Sequence, residues 1–176
     1  EKNFIRALKA FEQYVKNKND KDVRLRVTGL NDRQKTVIKD KHIIDETILD
    51  YQVDLLGYIN GEEFSKLYAE CKFLLFTSKS EGFGLPVAEA MFFNKPVVAS
   101  RLSSIPEVMG SAAIYVDPYS IDSIASGIEK MMDTYNIDGV YLDGTSRPNY
   151  CTNINHGCGW YDDQGALHGT YTIKAV

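Results

Sequence analysis

The chain lacks any excess of basic charge. Its 20 lysines and arginines stand against 24 aspartates and glutamates, a formal net charge of −4. A nucleic-acid binder normally carries a basic face, so no nucleic-acid partner is expected, and attraction for an anionic ligand has to be local. Cysteine is scarce as well: three residues in 176, unevenly placed, which argues against a disulfide framework and favours a cytoplasmic setting. No apolar run approaches the ~20 residues that span a bilayer. No signal-peptide pattern opens the chain and no N-x-[ST] sequon occurs in it. An initiating methionine is absent too. The chain starts EKNFIRALKAFEQYV, already at the edge of a helix, and reads as an excerpt of a longer protein.

What is present suits a globular α/β protein. Apolar residues make up 44% and charged residues 25%, with length enough for one domain and a substantial core. Phe4, Ile5, Leu8, Phe11 and Val15 recur at helical spacing and predict an amphipathic helix over 3–17. VRLRVTG (23–29) alternates apolar and polar residues, as a strand does. Residues 32–49 read as a polar, mostly helical stretch packing through Val37, Ile38, Ile44 and Ile48. VDLLGYI (53–59) reads as a short strand and GEEFSKLYAEC (61–71) as a helix burying Phe64, Leu67 and Tyr68. KFLLFT (72–77) and PVVAS (96–100) are continuous apolar runs, the mark of strands covered on both faces. Between them a helix begins at Gly84-Leu85-Pro86 and reaches about Phe93, with Pro86 in its first turn. SSIPEVMG forms a helical turn and AAIYV (112–116) a strand. Ile121, Ile124, Ala125, Ile128, Met131 and Met132 mark a last helix, capped by Ser120. The alternation predicts a doubly wound parallel sheet, which binds ligands at the carboxyl ends of its strands. A strand before the first helix is missing from this order. If it belongs at the centre, the chain lacks a core strand and folds poorly alone.

Near residue 134 the composition changes, which sets expected boundaries of 1–133 for the Rossmann-like domain and 134–176 for an atypical Gly- and aromatic-rich segment, β-rich or loosely ordered. This segment holds six of the 13 glycines, two of the three cysteines and the only tryptophan. VYL and TYTIKAV within it read as short strands. Cys151, His156 and Cys158, with His168, raise the question of a metal site, but C-x4-H-x-C is not a standard zinc spacing. Trp160, Tyr161 and Tyr171 could stack on a sugar, though packing within a small β module is the commoner use of such residues.

The chemistry concentrates in the loop from Thr77 to Leu85, which leaves a buried strand and opens a helix. Glycines at 82 and 84 permit positive φ and close approach of backbone to ligand. The N–H groups of Gly84, Leu85 and Val87 are expected free at the helix start, where the macrodipole favours a phosphate without any basic side chain. Glu81 precedes the turn and Glu89 lies one turn into the helix. Carboxylates only accept hydrogen bonds, and vicinal sugar hydroxyls donate them in pairs. A ligand anionic in the middle and hydroxylated on both sides satisfies the whole set, and a nucleotide sugar has that shape. One such glutamate alone is more often simply solvated; the combination with the glycines and the buried strand carries the reading. Lys79 is explained equally by phosphate neutralisation and by solvation.

EGFGLPVAE, followed by AMFFNKPVVAS and SSIPEVMG-SAAIYVDP, resembles the C-terminal donor-binding domain of GT-B glycosyltransferases of family 4, retaining enzymes with an E-x7-E motif. The resemblance spans residues 1 to about 133. It implies that Glu81 sits by the donor sugar, that Glu89 binds the ribose hydroxyls, and that Gly82, Phe83, Gly84 and Leu85 contact sugar and phosphate. Lys2 matches the lysine of a diphosphate-binding arginine–lysine pair whose arginine would lie upstream. Thr28-Gly29-Leu30 matches a loop beside the donor, without the second glycine common there. Gly57-Tyr58-Ile59 matches the segment near the nucleobase, where plain packing explains Tyr58 and Ile59 equally well. The resemblance implies retaining transfer of a hexose from a UDP-, GDP- or ADP-sugar, with no metal or other cofactor. The acceptor, a sugar, lipid or protein, would be held by an absent N-terminal domain, through which any peripheral membrane association would also come. The isolated chain is then expected to be inactive. Two other classes stay open: a non-catalytic nucleotide-sugar-binding or interaction module, and a nucleotide-sugar epimerase.

Overall fold

The computed structural model describes residues 2–135 throughout and, beyond them, the backbone of three short strands, 140–142, 159–161 and 167–169. The chain divides into two compact units, residues 1–146 and 147–176.

The first unit holds strands β1 (Leu25–Val27), β2 (Val53–Leu55), β3 (Leu74–Phe76), β4 (Val97–Ser100), β5 (Ala113–Val116) and β6 (Val140–Leu142). They form one parallel sheet in the order β2-β1-β6-β3-β4-β5. Seven helices are present among the described residues: α1 (Phe4–Lys18), α2 (Asp32–Asp40), α3 (Glu46–Gln52), α4 (Gly61–Glu70), α5 (Leu85–Phe92), α6 (Ile105–Met109) and α7 (Ile121–Tyr135). This is a Rossmann-like α/β fold.

Strand pleating divides the core in two. Leu75 and Val98 face the cluster built with α1, α3 and α7, whereas Leu74, Phe76, Val97 and Ala99 face the cluster built with α4, α5 and α6. Side chains alternate along a strand, so FLLF of the first run and VVA of the second must be apolar in succession to serve both faces. The amphipathic α1 buries Ala7, Leu8, Phe11, Tyr14 and Val15 against the first of these clusters. Its start is fixed by Asn3, whose buried amide donates to the Pro118 carbonyl at 2.6 Å. Ser120 caps α7 through a bond from the Ser123 N–H to its hydroxyl at 3.1 Å.

Helix α7 approaches the sheet closely at Gly127. A Cβ there would stand 2.4 Å from Val116 Cγ1 and 3.0 Å from Val98 Cγ1. Gly127→Ala is therefore expected to destabilise the chain by about 1–2 kcal/mol, overpacking outweighing the better helix propensity of alanine. Urea unfolding measures the loss, and a stabilised variant would show that α7 is not so closely seated.

The mostly helical stretch 32–49 holds two helices: α2 ends at Asp40, His42 takes a left-handed φ of 45°, and Asp45 starts α3 by accepting from the Thr47 N–H at 3.0 Å. His42 is exposed and pairs with Glu46 at 2.6 Å. One expectation is corrected: the sheet does not lack a central strand. β6, the VYL segment, lies parallel between its neighbours, with Val140–Leu142 beside Leu25–Val27 and Tyr141–Leu142 beside Leu74–Leu75.

In the second unit β7 (Gly159–Tyr161) and β8 (Leu167–Gly169) pair antiparallel, Trp160 opposite His168. TYTIKAV, Cys151, His156 and Cys158 lie outside the described residues. Cys71, within them, is a free thiol pushed up to about 11 by burial. Among the described residues no group of His, Cys, Asp or Glu is arranged to hold a metal ion. Nor is any helix among them long and apolar enough to cross a membrane.

Candidate functional site at the carboxyl edge of the sheet

The strand order reverses around β6: β1 leads outward to β2, while β3 leads the other way to β4 and β5. Open α/β sheets form their ligand crevice at such a reversal, outside the carboxyl ends of the strands. The loop after β3 lies there. Thr77 and Ser78 are still buried, Glu81 is half-buried, and Gly82 and Phe83 are exposed.

Gly84 then turns the chain into α5 with φ 86° and ψ 50°, a left-handed conformation suited to glycine. Its carbonyl points along the new helix and accepts from the N–H of Val87 at 3.0 Å. The Val87 N–H is therefore not available to a ligand, contrary to expectation, and the helix start is left with those of Gly84 and Leu85. Gly82 does not use the positive φ that glycine permits. What a side chain at position 82 would meet is open space, with nothing within 4 Å.

The two glutamates occupy different settings. Glu81 Oε1 lies 3.6 Å from Lys2 Nζ, and the two side chains are 20% and 24% exposed. The same ammonium stands 5.1 Å over the Phe76 ring. Glu89 is buried on α5, and its Oε2 accepts from the Tyr68 hydroxyl of α4 at 3.2 Å. On the other side of the reversal the Gly29 N–H donates to the Gly57 carbonyl at 2.9 Å, which ties the loop after β1 to the loop after β2. Gly29 has a φ of 71°. Tyr58 is exposed, whereas Ile59 packs against the core under α4. Contacts thus join Lys2 to Glu81 and the Gly29 loop to the Gly57 loop. Lys79 faces the ring of Tyr119 at 5.3 Å, and Arg6 faces it at 6.0 Å.

Three serines, one ending β4 and two after it, brace this loop, and none was singled out in the sequence. Ser100, fully buried, donates to the Ser78 carbonyl at 2.6 Å. The Ser103 hydroxyl donates to the Glu81 carbonyl at 2.6 Å and accepts from the Glu81 N–H at 3.3 Å. The Ser104 hydroxyl reaches the same carbonyl at 3.3 Å. Ser103 holds a φ of 58°, where glycine would be less strained, so the hydroxyl is what serine adds. Their signal in the sequence is slight: hydroxyl residues just after a buried strand neighbouring the glycine loop. Ser103→Gly is expected to speed hydrogen exchange at the Glu81 amide about tenfold, the effect of losing one such clamp. An unchanged rate would show that the clamp does not hold the loop.

The profile of the family described as "Glycosyl transferases group 1" matches residues 1–138. Relatives of known name match shorter stretches. An O-antigen chain mannosyltransferase B of Escherichia coli is 44% identical over 73 residues, covering 42% of this chain and 19% of the relative. The O-antigen chain mannosyltransferase RfbU of Salmonella typhimurium is 34% identical over 89 residues, 51% of this chain and 25% of the relative. An MMP alpha-(1->4)-mannosyltransferase of Mycolicibacterium hassiacum is 34% identical over 79 residues, 43% and 19% of the two chains. The match thus spans a quarter or less of each of these relatives.

Proposed function

The chain belongs to the group 1 glycosyltransferases, and from that premise we propose that its first unit is the donor-binding half of a family 4, GT-B enzyme, holding a nucleoside-diphosphate sugar for retaining transfer of a hexose. The observation that carries the reading is the Lys2–Glu81 contact of 3.6 Å beside the start of α5. It sets a cation, a carboxylate and a helix N-terminus together. A sugar phosphate presents matching groups: charged oxygens on one side of the anomeric bond and hydroxyl donors on the other.

In the proposed reaction the bond from the anomeric carbon to the phosphate oxygen breaks, its electron pair passes to the leaving diphosphate, and an acceptor hydroxyl oxygen bonds to the anomeric carbon on the same face as its proton passes to the leaving phosphate oxygen. Lys2 and the α5 dipole stabilise that charge as it develops. Glu81 accepts from sugar hydroxyls and orients the ring, and Glu89 accepts from the ribose. Gly82, Phe83, Gly84 and Leu85 line the space between them. Gly29, Thr77, Tyr58 and Ile59 complete the donor site, Tyr58 as the exposed ring nearest the base. No cofactor is assigned, because Lys2 and α5 supply the charge compensation. Several relatives are mannosyltransferases by name, which makes mannose the first sugar to test. One name specifies an α linkage, the outcome of retention from an α-configured donor. The acceptor, and any base acting on it, are proposed to lie on the portion of the relatives that this chain does not match.

Calorimetry of the chain with GDP-mannose, UDP-glucose and ADP-glucose tests the reading. One donor is expected to bind more tightly than its nucleoside diphosphate alone, the difference being the contribution of Glu81. A folded chain that binds none of the three contradicts the proposal.

A further inference from the structure

We propose that Tyr68 is a positioning residue for Glu89, fixing the carboxylate that meets the ribose before any nucleotide arrives. The proposal rests on the reading of Glu89 given above. Tyr68 comes from α4, and its side chain is fully buried. Its ring stacks on Phe93, with centroids 5.2 Å apart and planes at 10°, and meets Phe64 edge-on at 4.8 Å and 72°. Two aromatic neighbours therefore pack one face and one edge of the ring. The phenol oxygen is delivered to one place, 3.2 Å from Glu89 Oε2 and 3.0 Å from the Pro86 carbonyl, and its single proton serves these two acceptors, the charged one being the stronger.

A glutamate side chain rotates about three bonds, and ordering it on binding would reduce affinity. The phenol removes that cost in advance. It is also a neutral donor, so it holds the carboxylate without cancelling its charge, as a lysine would. The carboxylate keeps its strength as an acceptor for the ribose hydroxyls. Tyr68 bonds Glu89 and the first turn of α5, so it acts on position and not on the reacting atoms.

The test compares binding of UDP, GDP and ADP with their 2′,3′-dideoxy counterparts to the 176-residue chain and its Tyr68→Phe variant. The wild type is expected to prefer the ribose form of the nucleotide it binds. Tyr68→Phe keeps the ring and removes only the hydroxyl. It is expected to weaken the ribose form about tenfold, the effect of one hydrogen bond to a charged group, and to leave the dideoxy form unchanged. A variant that keeps the wild-type preference, or weakens both forms equally, overturns the proposal. A second measurement needs no substitution: the ring carbons of 13C-labelled Tyr68 should shift on adding the ribose form and not the dideoxy form, and equal shifts overturn the proposal as well. A wild type without any ribose preference removes the Glu89 reading and this proposal together. Preference retained in both proteins removes only this one.

Discussion

Gly84→Ala is expected to lower the unfolding free energy of the chain by about 2–4 kcal/mol, the sum of a left-handed penalty and overpacking. The backbone at Gly84 has φ 86°, where a Cβ crowds the adjacent carbonyl. In addition the new atom would sit 2.4 Å from Ile105 Cδ1 and 3.2 Å from Val87 Cγ2. Ile105 is fully buried under α5 and α6, so its terminal methyl has little space to move into. Relief has to come from the loop itself, which would carry Glu81, Gly82 and Phe83 away from the crevice. Urea unfolding and donor titration of the same variant read both effects. A loss below about 0.5 kcal/mol, the size of an ordinary surface substitution, would show that the turn at Gly84 is not as tight as described.

Glu89→Ala is expected to weaken nucleotide binding about a hundredfold, because on the proposed reading two hydrogen bonds from vicinal hydroxyls to one carboxylate disappear together. The fold survives the change, since the Tyr68 hydroxyl keeps the Pro86 carbonyl as an acceptor at 3.0 Å. Glu89→Gln is the milder companion, retaining one acceptor oxygen without the charge, and should lose less. Nucleotide affinity unchanged in a folded Glu89→Ala chain would mean that this buried carboxylate serves only to hold α4 and α5 together.

Legibility of the fold followed from how much of the pattern was local. The runs KFLLFT and PVVAS needed no partner to be read, because a strand facing a core on both sides must be apolar throughout, and both are central strands. The helices with long apolar stripes, α1 and α7, were equally clear. The break between α2 and α3 was hidden because neither glycine nor proline marks it; His42 takes the left-handed turn. The place of VYL was hidden for a different reason. A three-residue strand has almost no pattern of its own, and its position depends on a gap between β1 and β3 that is visible only in space.

The site was legible in the same uneven way. Glu81 and Glu89 stood out by spacing, and Gly84 by its place before Leu85-Pro86. That Val87 donates to the Gly84 carbonyl depends on the φ of one glycine. The support from Ser100, Ser103, Ser104 and Tyr68 depends on contacts spanning about twenty residues, between loops and helices whose approach no local pattern announces.

The central claim is that a nucleotide sugar binds across the loop after β3. The most direct measurement is amide mapping of the 15N-labelled chain during titration with GDP-mannose, UDP-glucose and ADP-glucose. With the donor that binds, the largest shifts are predicted at Gly82, Phe83, Gly84 and Leu85, with further shifts at Gly29 and Tyr58. Shifts confined to other parts of the chain, or no shifts with any of the three, would contradict the account.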